Sequence, residues 1–409
     1  YKELVRQHQE ECGVLRMRIL VVQESGYLER GPHQGHHLLE RMVLRGHDVH
    51  VIDYPIDWRA HGDDGAISPR IINLKAFKAV APGVTVIRPA IIRLPALNYI
   101  SLLVTHRLEI ARQIREFRPD IIVGFGLLNA SIAIQLARRH RIPFIYYVID
   151  ELHRLVPELV FQPFAKAVEI SNNRLADRVI SINQGLKEYT EEMGAAPSKT
   201  QIIRAGVDFD KFALADGTAV RRRFGFTEQD TVLFFMGWLY DFCGLDEVAM
   251  ALAHSENKHL KMMVLGKGEL WDRLNEIKAQ EGLGDRLILE GWKPYSEVPN
   301  YLAAADICLL PAKRSKTMEN IVPIKMYEYL AAGKTVFATS LSGICKEFSN
   351  GNGVMYMNSP TEVVPMAEKI RGDGAMAAEG KNGQAFVRPN DWSLMTDEFE
   401  RLLREACHG

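Results

Sequence analysis

Short apolar runs alternate with amphipathic stretches along the chain. In the first half, Met17–Gln23, Asp48–Tyr54, Val84–Arg88, Asp120–Gly124, Pro143–Ile149, Arg178–Ile182 and Thr200–Arg204 read as strands. Several are near-continuous Val, Ile, Leu and Phe, which suits a parallel sheet covered on both faces. Between them the apolar positions recur with a helical period, as in Gly35–Leu44 and Ile100–Phe117. The second half repeats the scheme. Thr231–Gly237, Leu260–Gly266, Leu287–Gly291, Asp306–Pro311 and Thr335–Thr339 read as strands, and helices should start near Gly244, Glu269, Ser296 and Pro323. Strand–helix alternation performed twice predicts an α/β protein with two doubly wound, Rossmann-like domains.

The alternation breaks at Arg204–Phe212, where a polar connection begins. Two such domains facing a central cleft would bind ligands beyond the carboxyl ends of their strands. The expected division is an appendage over 1–16, a first domain over 17–205, a second over 206–385, and a C-terminal segment over 386–409 whose helix, Trp392–Ala406, comes too late for the second sheet. The 409 residues suit two or three domains, and 47% hydrophobic with 25% charged residues is ordinary globular composition. Net charge is -1, so no global polyelectrolyte partner, nucleic acid included, is implied. The first 205 residues are net basic and the remainder net acidic. The five cysteines, Cys12, Cys243, Cys308, Cys345 and Cys407, show no metal spacing and read as free thiols in a reducing compartment. The uncharged run Ile121–Ala137 is too short and too mixed for a membrane span.

The densest chemistry lies in Gly291–Gly333. Pro323 fits the first turn of a helix, which puts Lys325 in that turn. A cation there opposes the helix dipole unless an anion is bound at the same end. Glu328 sits among Met326, Tyr327, Tyr329 and Leu330, where a carboxylate is costly without a partner. Ligand hydroxyls would serve. A Lys325–Glu328 ion pair or an exposed stripe is the plainer alternative.

The run AADICLLP followed by PIKMYEYLAAGKTV resembles the donor-binding segment of family-4 retaining glycosyltransferases of the GT-B fold. MRILVVQ, RPDIIVGFG, IPFIYYVID, LADRVISINQGLKEY with IIRAGVDFDKF, and VLFFMGWLYDFCGLDEVAMAL resemble further segments of that family, in order. The resemblance spans nearly all of Met17–Ala406. It implies transfer of a sugar, with retention, from a UDP- or GDP-linked donor to a glycan or lipid-linked acceptor hydroxyl. No cofactor and no metal are implied. By the same resemblance Glu328 would hold the nucleotide ribose. The family's other glutamate is Asn320 here, with Glu319 beside it. Two family cations that bind the diphosphate are replaced by Trp238 and Cys243. Lys325, Lys313, Arg314 and Lys316 are the expected substitutes, with amides at Gly244–Leu245. Trp292 and Lys293 would meet the base. The family's His at the end of the strand Pro143–Ile149 is Ile149 here, which leaves Asp150 and His153 to face the reacting sugar. Asp150 as a cap and His153 as a surface residue are the plainer readings.

Gly31 and Gly35 precede a helix and would let backbone approach a phosphate or acceptor sugar, with contact from His33, His36 or His37. These histidines lack the convergent partners of a metal site. Asp208-Phe209-Asp210 looks like a metal–nucleotide motif but lies in the connecting segment. Gly124-Phe125-Gly126 and Gly266-Lys267-Gly268 lack the third glycine of a dinucleotide site. The segment Arg70–Arg118 mixes arginine with Ile, Leu and Tyr, and could touch anionic lipid at the inner face of a membrane from the cytoplasm. The alternatives are a sugar-nucleotide-binding protein without transfer and a GT-B epimerase.

Overall fold

The computed structural model describes residues 16–29, 32–54, 66–94, 97–156, 158–315, 318–370 and 374–408. They form two compact units: one holds the chain up to Arg204 together with Ser393 onward, the other spans Ala205–Trp392. Residues 386–392, expected to belong to the segment returning to the first unit, pack with the second. Trp392 lies so close to Gly206 that a Cβ there would come within 2.5 Å of the indole.

The first unit carries an eight-stranded sheet in the order Thr200–Ile202, Arg178–Ser181, Phe144–Val148, Ile121–Gly124, Arg18–Val22, Asp48–Ile52, Val84–Arg88 and Ile71–Ala76. The first seven are the predicted strands and run parallel; the eighth is antiparallel. Its sequence, IINLKA, is exposed on both faces along most of its length, so it lacks the periodicity that marks its neighbours. Its antiparallel edge position also needs no crossover helix. The chain order reverses between Arg18–Val22 and Ile121–Gly124. After Trp392 the final helix, Trp392–His408, joins this unit. Arg45 pairs with Asp397 (2.7 Å) and Glu400 (3.0 Å), and Phe399 meets Tyr147.

The second unit carries six parallel strands in the order Leu287–Glu290, Leu260–Leu265, Thr231–Met236, Ile307–Leu310, Thr335–Thr339 and Val354–Met357. Counted within the unit this is 3-2-1-4-5-6, a dinucleotide-fold order that opens a crevice between strands one and four. The last strand, VMYM, is four residues long after a Gly-Asn-Gly turn and carries too weak a pattern to be expected. The core strands are buried on both faces, as their unbroken apolar runs require. The helix expected to open at Pro323 begins at Lys325, with Pro323 two residues outside it; Lys325 is in the first turn as expected. Cys243, Cys308, Cys345 and Cys407 are free thiols, while Cys12 lies outside the described residues. No helix among the described residues is long and apolar enough to cross a membrane.

Candidate functional site

The crevice of the second unit is built from loops leaving the carboxyl ends of its strands. The loop after Met236 is pinned by close backbone contacts. Gly237 N donates to Leu265 O (2.9 Å) and Leu239 N to Lys267 O (3.1 Å). A Cβ on Gly266 would lie 1.9 Å from Gly237 O, and one on Gly268 would lie 2.6 Å from Leu239 N. The glycines of Gly266-Lys267-Gly268 therefore exist to let two loops touch, at φ values of 144° and 157°. Gly244 does the same against Pro311 O, where a Cβ would stand 2.1 Å away.

Lys325 reaches this crevice from the start of its helix. Its Nζ lies 2.8 Å from the place where a Gly237 Cβ would be and 4.2 Å from the centroid of the Phe235 ring. It makes no hydrogen bond or ion pair among the described residues. Burial holds its pKa below that of an ordinary lysine, opposed by nearby Cys243 and Glu328. The ammonium thus sits beside the loop whose Trp238 and Cys243 stand where cations were expected. Lys313 and Arg314 are differently placed. Lys313 pairs with Asp246 (3.1 Å) and Glu247 (3.4 Å) in the first turn of the helix that follows Gly244. Arg314 donates to Ser340 (2.5 Å) and approaches Glu319 at 3.8 Å. Lys316 lies outside the described residues.

Glu328 is 7% exposed. The Tyr295 hydroxyl donates to its Oε1 at 2.6 Å. Burial pushes its carboxyl up to about 7, against the lowering effects of the Tyr295 bond and the Lys325 charge. No Lys325–Glu328 ion pair forms. Lys211 lies 4.3 Å over the Tyr295 ring, and Phe212 packs edge-on against it. Tyr295 is 33 residues from Glu328, and no local spacing announces it. Glu319 is engaged with the helix Ser342–Phe348, accepting from Ser342 N (3.1 Å) through its side chain and from Gly343 N (2.6 Å) through its carbonyl. The Asn320 backbone is the wall that keeps residue 343 glycine. Trp292, 55% exposed, lies against Trp238, 47% exposed, with centroids 5.7 Å apart; Tyr240 and Phe242 extend the row. Lys293 pairs with Glu290 at 2.6 Å. Asp208 and Asp210 belong to the connecting segment, where Asp208 immediately precedes the helix Phe209–Ala213. A recess of about 300 Å³ near Gly217, Arg221 and Lys334 lies at the opposite, amino end of the strands.

In the first unit the equivalent crevice is already filled. Glu24 Oε1 accepts from Asn129 N at 2.6 Å and its carboxylate also meets the Leu127 and Leu128 amides. It takes the place an anion would hold at the start of the helix Leu128–His140. Gly126, at φ 115°, makes room for it. Gly124-Phe125-Gly126 is thereby explained without a nucleotide. The expected acceptor loop divides. His36 is enclosed, with Nε2 2.9 Å from Tyr27 O and Nδ1 3.3 Å from His33 N, and burial pushes its pKa down to about 4. His37 is also buried, beside Arg41. These two rings build the loop instead of facing out of it. His33 caps the helix Gln34–Leu44 and is half-buried; Gly35 has only the His33 ring within reach; Gly31 lies outside the described residues. Asp150 ends the turn after Phe144–Val148, where burial and Glu151 raise its carboxyl to about 6. His153, three residues on, lies 2.9 Å from Glu169.

Comparison with known proteins agrees with this architecture. Residues 35–211 match the model of Glycosyltransferase Family 4, and residues 216–372 match that of Glycosyl transferases group 1. A Bacillus subtilis protein named for a teichuronic acid biosynthesis glycosyltransferase is 25% identical over 252 residues, 58% of this chain and 59% of that one. D-inositol 3-phosphate glycosyltransferase 1 of Catenulispora acidiphila is 26% identical over 314 residues, 71% of this chain and 73% of its own. The structure is similar to that of Anabaena HepE in complex with UDP, with a TM-score of 0.73 at 16% identity over 95% of this chain and 100% of that one. The UDP-glucose complex of the same protein gives 0.71, also at 16% identity, over 95% of this chain and 100% of that one. The chain therefore carries a glycosyltransferase family 4 domain followed by a glycosyl transferases group 1 domain, on a GT-B fold.

Proposed function

We propose that this chain transfers a sugar from a nucleoside diphosphate donor to an acceptor hydroxyl, with retention and without a metal. The observation that carries the reading is Lys325, a half-buried ammonium that makes no hydrogen bond or ion pair among the described residues, at the crevice of a 3-2-1-4-5-6 sheet. A charge so placed is costly unless an anion completes it, and a diphosphate is the anion such crevices accept. Glu328, one turn further along the same helix, supplies acceptor oxygens for ribose hydroxyls. Trp292 and Lys293 border the base, and Asn320 with Glu319 orient the sugar. Lys313, Arg314 and the Gly244 turn frame the phosphate side, Asp150 and His153 face the reacting sugar, and His33 and Gly35 serve the acceptor side. The HepE complexes with UDP and UDP-glucose support a UDP-linked donor.

In this reading the acceptor oxygen attacks the anomeric carbon on the face from which the diphosphate leaves. The anomeric carbon–oxygen bond breaks, and the acceptor proton passes to the departing phosphate oxygen. Lys325 stabilises the negative charge that develops there, and the protein otherwise positions the reactants. The acceptor is a glycan or a lipid-linked sugar. Ile100, Leu103, Val104 and Leu108 form an exposed stripe on the helix Leu97–Glu116. With exposed Lys75 and Lys78 they support contact with an anionic membrane at the cytoplasmic face.

Thermal stabilisation by UDP-, GDP- and ADP-sugars and by the free nucleotides, without added metal, tests the donor reading. A selective shift with one base is expected. No shift with any of them would overturn it.

A further inference from the structure

The turn after the strand Phe144–Val148 presents an imidazole held from behind by an enclosed carboxylate. Glu169 projects from the helix Gln162–Leu175, and its side chain is 0% exposed. Its Oε2 accepts from His153 N at 3.1 Å and lies 2.9 Å from His153 Nδ1. The Tyr189 hydroxyl, from the helix Gln184–Glu192, is 2.9 Å from the same Nδ1 and hydrogen-bonds Glu169. The other oxygen, Glu169 Oε1, has no hydrogen-bond partner among the described residues. A carboxylate removed from water is costly unless donors offset it. Both His153 groups, the backbone N–H and Nδ1, meet one oxygen, Oε2.

An ionised carboxylate only accepts hydrogen bonds, so the ring donates from Nδ1. A neutral ring is then the Nδ1–H tautomer and keeps its lone pair on Nε2. Nε2 makes no hydrogen bond among the described residues, and the side chain is 12% exposed. The arrangement leaves Nε2 as an acceptor, with its tautomer fixed from behind, in the loop that follows the carboxyl end of a central strand.

We propose that Glu169 is a positioning residue for sugar recognition: it fixes the Nδ1–H tautomer of His153 so that Nε2 accepts a hydrogen bond from a hydroxyl of the bound sugar. This rests on the reading that His153 faces the reacting sugar. Nothing in the local sequence pairs positions 153 and 169; the fold does so by laying the helix Gln162–Leu175 back over the turn.

Long-range proton–nitrogen correlation spectra of the full chain, labelled with 15N-histidine, report the tautomer without any ligand. His153 is assigned by the loss of its signals in His153→Asn. Wild type should show Nδ1–H. Glu169→Gln, whose amide oxygen still accepts, should keep it, and Glu169→Leu should move the ring toward Nε2–H. An Nε2–H wild type, or a tautomer unmoved in Glu169→Leu, would overturn the proposal. The nucleotide sugar selected by the stabilisation panel then gives a functional readout. Glu169→Leu should lower kcat/KM about three- to tenfold, the worth of one hydrogen bond. Glu169→Gln should restore it, and neither change should matter once His153 is Asn. A loss that persists in the His153→Asn background means that Glu169 only pins the turn, and the proposal fails. Wild-type turnover in His153→Asn alone would instead sink the reading on which it rests.

Discussion

Replacing Glu328 by Gln should move stability and nucleotide affinity in opposite directions. Burial raises the Glu328 carboxyl from 4.5 to about 7 in the folded chain. Between those values the folded state holds a proton that the unfolded state has released. Stability therefore falls as pH rises through this window, with no penalty below about 4.5 and the full penalty above about 7. A rise from 4.5 to about 7 corresponds to about 3 kcal/mol. Gln is neutral throughout and still accepts from Tyr295. The variant should therefore be more stable than wild type by up to about 3 kcal/mol at pH 8, and equal to it near pH 4.5. It also loses charge-assisted bonds to donor hydroxyls, so nucleotide affinity should drop by about 1.5–3 kcal/mol, roughly ten- to a hundredfold. Wild-type affinity should itself rise from pH 5.5 to pH 8 as the carboxylate forms. Urea unfolding at pH 4.5 and pH 8, with calorimetric titration of the nucleotide picked out by stabilisation, measures both. Equal stabilities at pH 8 would refute the burial argument, and unchanged affinity in a folded variant would refute the hydroxyl contact.

Lys325→Met should weaken binding of the nucleoside diphosphate at least about tenfold while leaving the bare nucleoside unaffected; equal loss for both, by calorimetry, would remove the phosphate role. Gly266→Ala forces a Cβ to 1.9 Å from Gly237 O at a φ of 144°, so the second unit should lose more than about 3 kcal/mol. A fall of under about 1 kcal/mol in urea would contradict that close approach. Glu24→Ala leaves the helix start at Asn129 without its carboxyl acceptor and should cost about 1–2 kcal/mol, partly restored by added sulfate. Failure of sulfate to stabilise this variant more than wild type would argue against an anion position there. Glu400 has its carboxyl held well below the usual range by the His47, Arg404 and Arg45 hydrogen bonds. Its contribution is present above about pH 4.5 and lost as pH falls below that. Amide protection in Trp392–His408, measured relative to the intrinsic exchange rate at each pH, should therefore fall between pH 6 and pH 3 more than in the strand Thr231–Met236. An equal loss of protection in both would refute a local origin.

The strand–helix alternation was legible because a strand buried on both faces has few choices of side chain. Twelve strands read from apolar runs are present. The edge strand Ile71–Ala76 escaped because exposure on both faces erases periodicity, and Val354–Met357 because four residues carry too little of it. Among candidate residues, Lys325 and Glu328 stood out because each violates a local rule: a cation at the start of a helix, a carboxylate in an apolar face. His36 showed no such conflict. Histidines in a glycine loop look alike whether they build the loop or face out of it, and only the enclosed Tyr27 contact separates the cases.

The parallel strands of both sheets and the helix that carries Lys325 and Glu328 were encoded locally, since hydropathy period and turn chemistry act within a few residues. Tertiary structure alone decided which charges are spent. Lys313 is balanced by Asp246 and Glu247, Arg314 is drawn toward Ser340 and Glu319, the Gly126 helix start is filled by Glu24, and His153 is fixed by Glu169. Lys325 has no ion-pair partner among the described residues, because the loop at Gly237 passes beside it as backbone and offers it no carboxylate. Electrostatic pairing depends on distance through space, and the partners here come from separate elements that only folding brings within a few ångströms of one another.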